Sequence, residues 1–433
     1  MAKIINTNFL IFILLMVLWL LPILQSSGEI FELEKLGGVS SEVSDTLLDT
    51  DSWFSGRYAE KKQDYLTSNF GLREIAIKLQ NQIQYSFFDK TNADDVVLGK
   101  NNYLYEMKYI TSFFGIDHLS KSYFEDKVIK LKYVQDTLAK LNKTMIFLFA
   151  PSKATFYPEF LPDTYKNDSI VTNYSELKPL MVKHNINFID YNAMFLRLKP
   201  NSPHALYPVA GTHWSEYGNV VALDSLCNYI NKHTNFKLPE FNYSKINIED
   251  GYGGTDNDMG KAINLLFPPN YGKLAYPEVK IIEHKDVKKP NVLMVSDSYW
   301  ASIYYSARPS QLFNKHVFWS YYNYSNDYHT ETEGKKPLDL NFRDELMKND
   351  IIGIMCTEPN LKVIGYRFID DCYDFFKYGK LNDVERKRAF EIEQRRLGLW
   401  NDNLLVKKLY RIYKTNSRAI DSVITNIARS EVN

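Results

Sequence analysis

Ser298 stands in the run Asn291-Val-Leu-Met-Val-Ser-Asp-Ser-Tyr-Trp300, where an apolar strand pattern passes directly into a helical one. A serine at such a turn holds its hydroxyl at the edge of a sheet, beside the free backbone N–H groups that open a helix and can stabilise an oxyanion. That is a position for a nucleophile, although a serine that only caps a helix has the same pattern. The second residue is His213, in Gly211-Thr-His-Trp-Ser-Glu-Tyr-Gly218, a loop turning into a helix after the polar stretch from Asn201 to Val209. An imidazole titrates near neutrality, so it can take a proton from an attacking hydroxyl and return it. Alone, the histidine reads as a ring packed on Trp214; with a serine in a compatible place, the pair points to nucleophilic catalysis.

The elements that must position this pair follow from the hydrophobic pattern. Short apolar or β-branched runs, VVLGK and YLYE (96–106), MIFLFA (145–150), INFID (186–190), VKII (279–282), NVLMVS (291–296), HVFW (316–319) and DIIGIMC (350–356), alternate with helical stretches near 121–142, 175–184, 215–232 and from 299. Fully apolar strands with intervening helices predict a mostly parallel sheet covered on both faces, with functional groups at the carboxyl ends of the strands. The predicted fold class is therefore α/β, a three-layer sandwich. Residues 29–94 read as an N-terminal helical stalk, 95–365 as the α/β domain, and 366–433 as a charge-rich C-terminal helical appendage without strand signals.

Residues 1–28 are different in kind. Phe9 to Leu24 is uninterrupted and apolar, and counting back to Ile4 gives about 31 Å of helix, enough to cross a bilayer. Lys3 precedes the run while Glu29, Glu32 and Glu34 follow it, which predicts that the remainder lies outside the cytoplasm. Ser26-Ser27-Gly28 offers small residues for cleavage but no A-x-A pattern, so a membrane anchor is favoured over a cleaved signal peptide. The 433 residues carry 52 basic and 52 acidic side chains, without the basic excess of a general nucleic-acid binder. Cys227, Cys356 and Cys372 form no C-x-x-C, and the eight histidines no H-E-x-x-H, so no metal site or disulfide framework is written here. Gly254 to Lys261 is no phosphate loop, because five residues separate Gly254 from Gly260 and Ala262 stands where Ser or Thr is needed.

Four segments in order resemble the SGNH-hydrolase-like domain of the alginate O-acetyltransferases of the AlgX/AlgJ type: residues 69–83 leading into 96–106, FLFAPSKATFYPEFLP (147–162), GTHWSEYG (211–218) and NVLMVSDSYW (291–300). The likeness spans roughly residues 55–360. It implies an SGNH-hydrolase-like sandwich in which the histidine precedes the serine, as here. It implies substrate-binding roles for Lys153, in the P-x-K pattern, for Trp214, and for Asp258, in a segment like the family's G-D-[LM]. The family's orienting aspartate lies two residues before the histidine, and this chain has Gly211 there. Asp190, at the end of INFID, is a candidate substitute, as are Asp297, Glu216 and a backbone carbonyl.

Tyr299 and Trp300, with the aromatic stretch from Phe318 to Tyr328, place rings beside the nucleophile, and rings with polar edges stack well on sugars. The expected protein is an extracytoplasmic, membrane-tethered O-acetyltransferase with Ser298, His213 and Asp190 as its catalytic residues, acting on a polysaccharide acceptor. The resemblance implies a membrane-bound O-acyltransferase as the partner supplying acetyl groups, and no cofactor. The competing expectations are an acetyl esterase, since water and a sugar hydroxyl compete for one acyl-enzyme, and a non-catalytic carbohydrate-binding or assembly protein.

Overall fold

The computed structural model describes residues 7–28, 30–38, 43–165, 171–250, 253–327, 330–379, 381–413 and 417–432. The chain divides into two compact units, Met1–Leu98 with Asp258–Asn270, and Gly99–Asn257 with Tyr271–Asn433.

The first unit holds the helix Thr7–Gly28, whose most apolar window has a mean hydropathy of 2.5 and is 0% buried, long and apolar enough to cross a membrane. Lys3 and Glu29, which flank it, lie outside the described residues. The expected stalk is helical, over Thr50–Phe54, Arg57–Ser68 and Arg73–Phe88, and strand β1 (Val96–Leu98) closes it. What the sequence did not predict is that a distant segment completes this unit. Asn81 Nδ2 donates to the Ile263 carbonyl over 3.0 Å, Asn264 Oδ1 accepts from Gly37 N at 2.7 Å, and Gln82 Oε1 accepts from Phe267 N at 2.9 Å.

The second unit contains β2 (Leu104–Glu106), β3 (Thr144–Ala150), β4 (Phe188–Asp190), β5 (Glu240–Asp250), β6 (Lys273–Ile282), β7 (Asn291–Ser296), β8 (Lys315–Ser320), β9 (Tyr324–Asn326) and β10 (Ile351–Thr357). Six of these form one sheet in the order β4-β3-β10-β7-β8-β9, parallel except for β9, which runs antiparallel to β8. The runs MIFLFA, NVLMVS and IIGIMCT are three of its four interior strands, and they are largely apolar because both faces are covered. Phe147, Leu293, Val295 and Ile354 face a core shared with helices Lys121–Lys140, Asn173–Lys183 and Phe368–Tyr378. Leu148 and Met294 face the other side, where a Cβ on Gly353 would meet both. The register Ala150 to Thr357 and Met355 to Ser296 brings the carboxyl ends of β3, β10 and β7 level, and the site is built on that rim.

One expectation changes. VKII lies in β6, which pairs antiparallel with the largely exposed β5 as a separate ribbon outside the main sheet. The C-terminal region is helical, over Asp383–Asn401, Asn403–Tyr413 and Ser417–Val432, and Phe390, Trp400, Leu409, Ile420 and Ile424 enter the same core as the sheet. Two of their arginines are buried and paired. Arg386 Nε lies 2.7 Å from Asp371 Oδ2, and Arg396 Nη2 lies 2.6 Å from Asp421 Oδ1.

Candidate active site

Strand β7 ends at Ser296, and Asp297 caps the helix Ser298–Tyr304 that follows. Asp297 is buried and fully engaged. Its Oδ1 accepts from Tyr299 N at 3.2 Å, and its Oδ2 accepts from Thr357 N, Thr357 Oγ1, Asn360 Nδ2 and the Tyr366 hydroxyl at 2.9, 2.7, 2.8 and 3.1 Å. This carboxylate ties the end of β7 to the end of β10 and fixes the first helical turn, which sets the direction of the Ser298 side chain. Ser298 Oγ then lies 2.9 Å from His213 Nε2, the distance of a nucleophile and its base.

The loop that carries His213 is gripped by three side chains. Lys153 is buried, and its Nζ donates to the carbonyls of Val209 at 2.7 Å and Gly211 at 2.8 Å. The Tyr299 hydroxyl donates to the Thr212 carbonyl over 3.0 Å, and burial pushes that phenol's pKa well up, so it stays a donor. Glu106 Oε1 accepts from Thr212 Oγ1 at 2.6 Å, while its Oε2 lies 2.5 Å from Lys108 Nζ. Lys153 and Tyr299, expected to touch substrate, are thus placed to position the histidine instead.

Trp214 and Trp300 are buried as well. Trp214 donates from Nε1 to Ser302 Oγ at 3.1 Å and packs against Tyr191, Phe195 and Tyr299, while reaching the wall of the cleft with part of its ring. Trp300 is 1% exposed, because a helix starting on a sheet rim must bury most of its first turn in the interior. The rings open to solvent nearby are Tyr305 and the half-exposed Tyr276. Of the aromatic stretch, Phe318, Trp319 and Tyr322 are core residues, and Tyr328 lies outside the described residues.

Asp190 is not brought to His213. It ends β4, three strands from β7, where Oδ1 caps the next helix through Ala193 N at 2.9 Å and Oδ2 meets the Tyr174 hydroxyl at 2.8 Å and Lys178 Nζ at 2.7 Å. Glu216 is ion-paired with Arg308. Asp258 belongs to the other unit, where it opens the short helix Asp258–Ala262 with Oδ1 accepting from Met259 N at 2.7 Å. Gly211 admits no acid: a Cβ there would stand 2.5 Å from the Thr255 carbonyl oxygen and 2.7 Å from Pro208 Cγ. The residue that sequence reasoning missed is Tyr321, whose hydroxyl accepts from Ser298 N at 3.3 Å and lies 3.5 Å from Ser298 Oγ. A cleft of about 650 Å³ opens from Ser298 and His213, walled by Trp214, Tyr276, Tyr305 and Arg308. Among the described residues no cluster of His, Cys, Asp and Glu is arranged to hold a metal ion.

A mostly parallel sheet with a Ser–His pair on its carboxyl rim is an arrangement suited to nucleophilic catalysis. Residues 96–272 match the family model described as the SGNH hydrolase-like domain of the acetyltransferase AlgX, so over this stretch the chain is similar to acetyltransferases of that class. The matched stretch includes His213 and ends before Ser298, whose assignment rests on geometry. No curated protein matches. Among solved structures, the O-acetyltransferase domain of Pseudomonas putida AlgJ is 15% identical, with 64% of this chain and 99% of that one covered and a TM-score of 0.43. Pseudomonas aeruginosa AlgX is 13% identical, covering 64% and 67%, with a TM-score of 0.42. Bacillus cereus PatB1 is 14% identical, covering 61% and 96%, with a TM-score of 0.39.

Proposed function

We propose that the chain is an extracytoplasmic O-acetyltransferase that places acetyl groups on hydroxyls of an exported polysaccharide through an acetyl-enzyme at Ser298. The observation that carries this reading is the 2.9 Å contact between His213 Nε2 and Ser298 Oγ at the mouth of a cleft wide enough for a sugar. Ser298 Oγ attacks the donor's acetyl carbon, its proton passes to His213 Nε2, and the leaving oxygen departs with that proton. In the second half His213 takes the proton of an acceptor hydroxyl, which attacks the acetyl carbon and releases Ser298 as a free hydroxyl. The helix Thr7–Gly28 supports tethering at the extracytoplasmic face of the cytoplasmic membrane, where a membrane-bound O-acyltransferase would deliver the acetyl group. Gly211 favours the rival reading of a carbohydrate-binding protein without catalysis, since the usual orienting acid has no room there.

One experiment separates the two. The full chain in detergent is incubated with a chromogenic acetyl ester, and intact mass is read for one added acetyl group, with Ser298→Ala and His213→Ala alongside. An adduct mapping to Ser298 and absent from both variants supports catalysis. No adduct, with oligosaccharide binding retained, gives the non-catalytic reading.

A further inference from the structure

The helix opened by Ser298 is seven residues long, and Asp297 occupies the two amides that follow the serine. Its Oδ1 accepts from Tyr299 N at 3.2 Å and its carbonyl from Trp300 N at 3.3 Å. The sequence-based expectation that several helix-start amides hold the oxyanion therefore fails: among them, Ser298 N–H alone faces the reacting hydroxyl's side. That amide points at the Tyr321 hydroxyl, 3.3 Å away, and the same hydroxyl is 3.5 Å from Ser298 Oγ. An acyl oxygen bound to Ser298 would need a donor in addition to this amide.

We propose that Tyr321 is a catalytic residue whose phenolic O–H, with the Ser298 N–H, forms the oxyanion hole of this site. The proposal rests on the reading of Ser298 as the acetylated nucleophile. As Ser298 Oγ bonds to the acetyl carbon, the carbonyl π pair moves onto oxygen, and the Ser298 amide turns from the phenol oxygen to that oxyanion. The phenol, already beside Oγ, donates its hydrogen bond to the same oxyanion without giving up its proton. When the C–O bond to the leaving group breaks, the carbonyl re-forms and the phenol again accepts from the amide.

The backbone supports this role. Tyr321 and Tyr322 both lie in the left-handed region, with φ of 51° and 56°, a costly conformation for two successive residues with side chains. It is held from several sides. Tyr321 N donates to the Ser296 carbonyl over 2.7 Å, and the Tyr322 hydroxyl lies 2.8 Å from both Asp371 Oδ2 and Arg386 Nη2. The Tyr321 ring meets the edge of Tyr366, which itself donates to Asp297 Oδ2. The turn thus fixes the phenol relative to the residue that caps the nucleophile's helix. Burial, and next the nearby Asp297 carboxylate, raise the phenol's pKa, so it is a neutral donor at physiological pH.

The test is the rate of acetyl-enzyme formation by the full chain in detergent with a chromogenic acetyl ester. Tyr321→Phe keeps the ring and removes only the donor, so acetylation of Ser298 should slow by about 10²–10³-fold with KM unchanged. Trifluorotyrosine placed at 321, close in shape and more acidic, should move the alkaline loss of rate to lower pH, which a packing role would not do. That second variant decides the matter if Tyr321→Phe fails to fold. Acetylation by Tyr321→Phe within about threefold of the parent, or an unchanged pH profile in the fluorinated protein, overturns the role. If the parent chain never acetylates Ser298, the acetyltransferase reading falls and this role with it; a loss confined to the Tyr321 variants leaves that reading standing.

Discussion

Lys153 Nζ donates to the carbonyl of Gly211 over 2.8 Å, two residues before His213, and to that of Val209 over 2.7 Å. The lysine is 1% exposed, with the rings of Tyr103 and Tyr105 beneath its ammonium. A buried cation on two carbonyls fixes the histidine loop from the chain side, where an acid on the imidazole would fix it from the ring side. Lys153→Met leaves both carbonyls without that donor, at a cost of about 2–4 kcal/mol of folding stability. Urea unfolding measures the loss. Acetylation of Ser298 should fall further than the unfolded fraction accounts for; a variant that is destabilised yet acetylates at the parent rate per folded molecule would show that the loop needs no such clamp.

Gly211→Asp puts back the acid that the resembled family carries, and here it should harm rather than help. The added Cβ would lie 2.5 Å from the Thr255 carbonyl oxygen and 2.8 Å from the Asp256 carbonyl carbon, both backbone atoms that cannot turn aside. The local chain must shift, at a cost of roughly 1–3 kcal/mol or more, and the His213 to Ser298 contact shifts with it. Measured acetylation should drop; a rise above the parent rate would mean that the loop accommodates the acid and that its absence limits the enzyme.

These two residues also show what the sequence made legible. β3, β7 and β10 were readable because buried parallel strands are continuous apolar runs, and Ser298 and His213 because each sits at a boundary where the periodicity changes. Strand β9 was not readable: it has three residues, inside the polar and aromatic stretch from Tyr321 to Asn326. Nor does composition tell which way a ring faces. Tyr299 and Trp300 look like sugar platforms beside the nucleophile, yet helical geometry turns both inward, while Tyr321 reaches Ser298 only because two tyrosines adopt positive φ. No residue type announces that conformation in the way a glycine would. Lys153 carried a family pattern, but its acceptors lie 56 and 58 positions away and are backbone atoms, which leave no mark in the sequence.

Asp190→Asn tests the catalytic role that its place at a strand end suggested. Its carboxylate caps the helix Tyr191–Leu198 and pairs with the half-exposed Lys178 at 2.7 Å. Asparagine keeps the cap and loses the ion pair, so stability should fall by no more than about 1 kcal/mol. Acetylation of Ser298 should be unchanged. A loss of several orders of magnitude without a change in melting temperature would return Asp190 to the catalytic machinery.

Glu358 follows β10 directly, is 4% exposed, and burial pushes its pKa up from 4.5 to about 7. Thr155 Oγ1 donates to its Oε2 at 2.7 Å and Asn192 Nδ2 to its Oε1, and both oppose the shift without cancelling it. The unfolded chain sheds this proton near the ordinary carboxylate value, while the folded chain keeps it until about 7. Folding stability therefore declines as pH rises from about 4.5 to about 7 and levels off above, by an amount on the order of 3 kcal/mol at most. Glu358→Gln removes the titration and keeps the shape. The Thr155 bond can persist to the amide oxygen, and Asn192 Oδ1, buried without a partner, can take the new N–H once that amide turns. Urea unfolding of parent and variant across this range should give curves that agree at the acid end and diverge toward alkaline pH, with the variant the more stable there. Parallel curves would place the Glu358 pKa at its ordinary value and remove this carboxyl from the pH response of the rim.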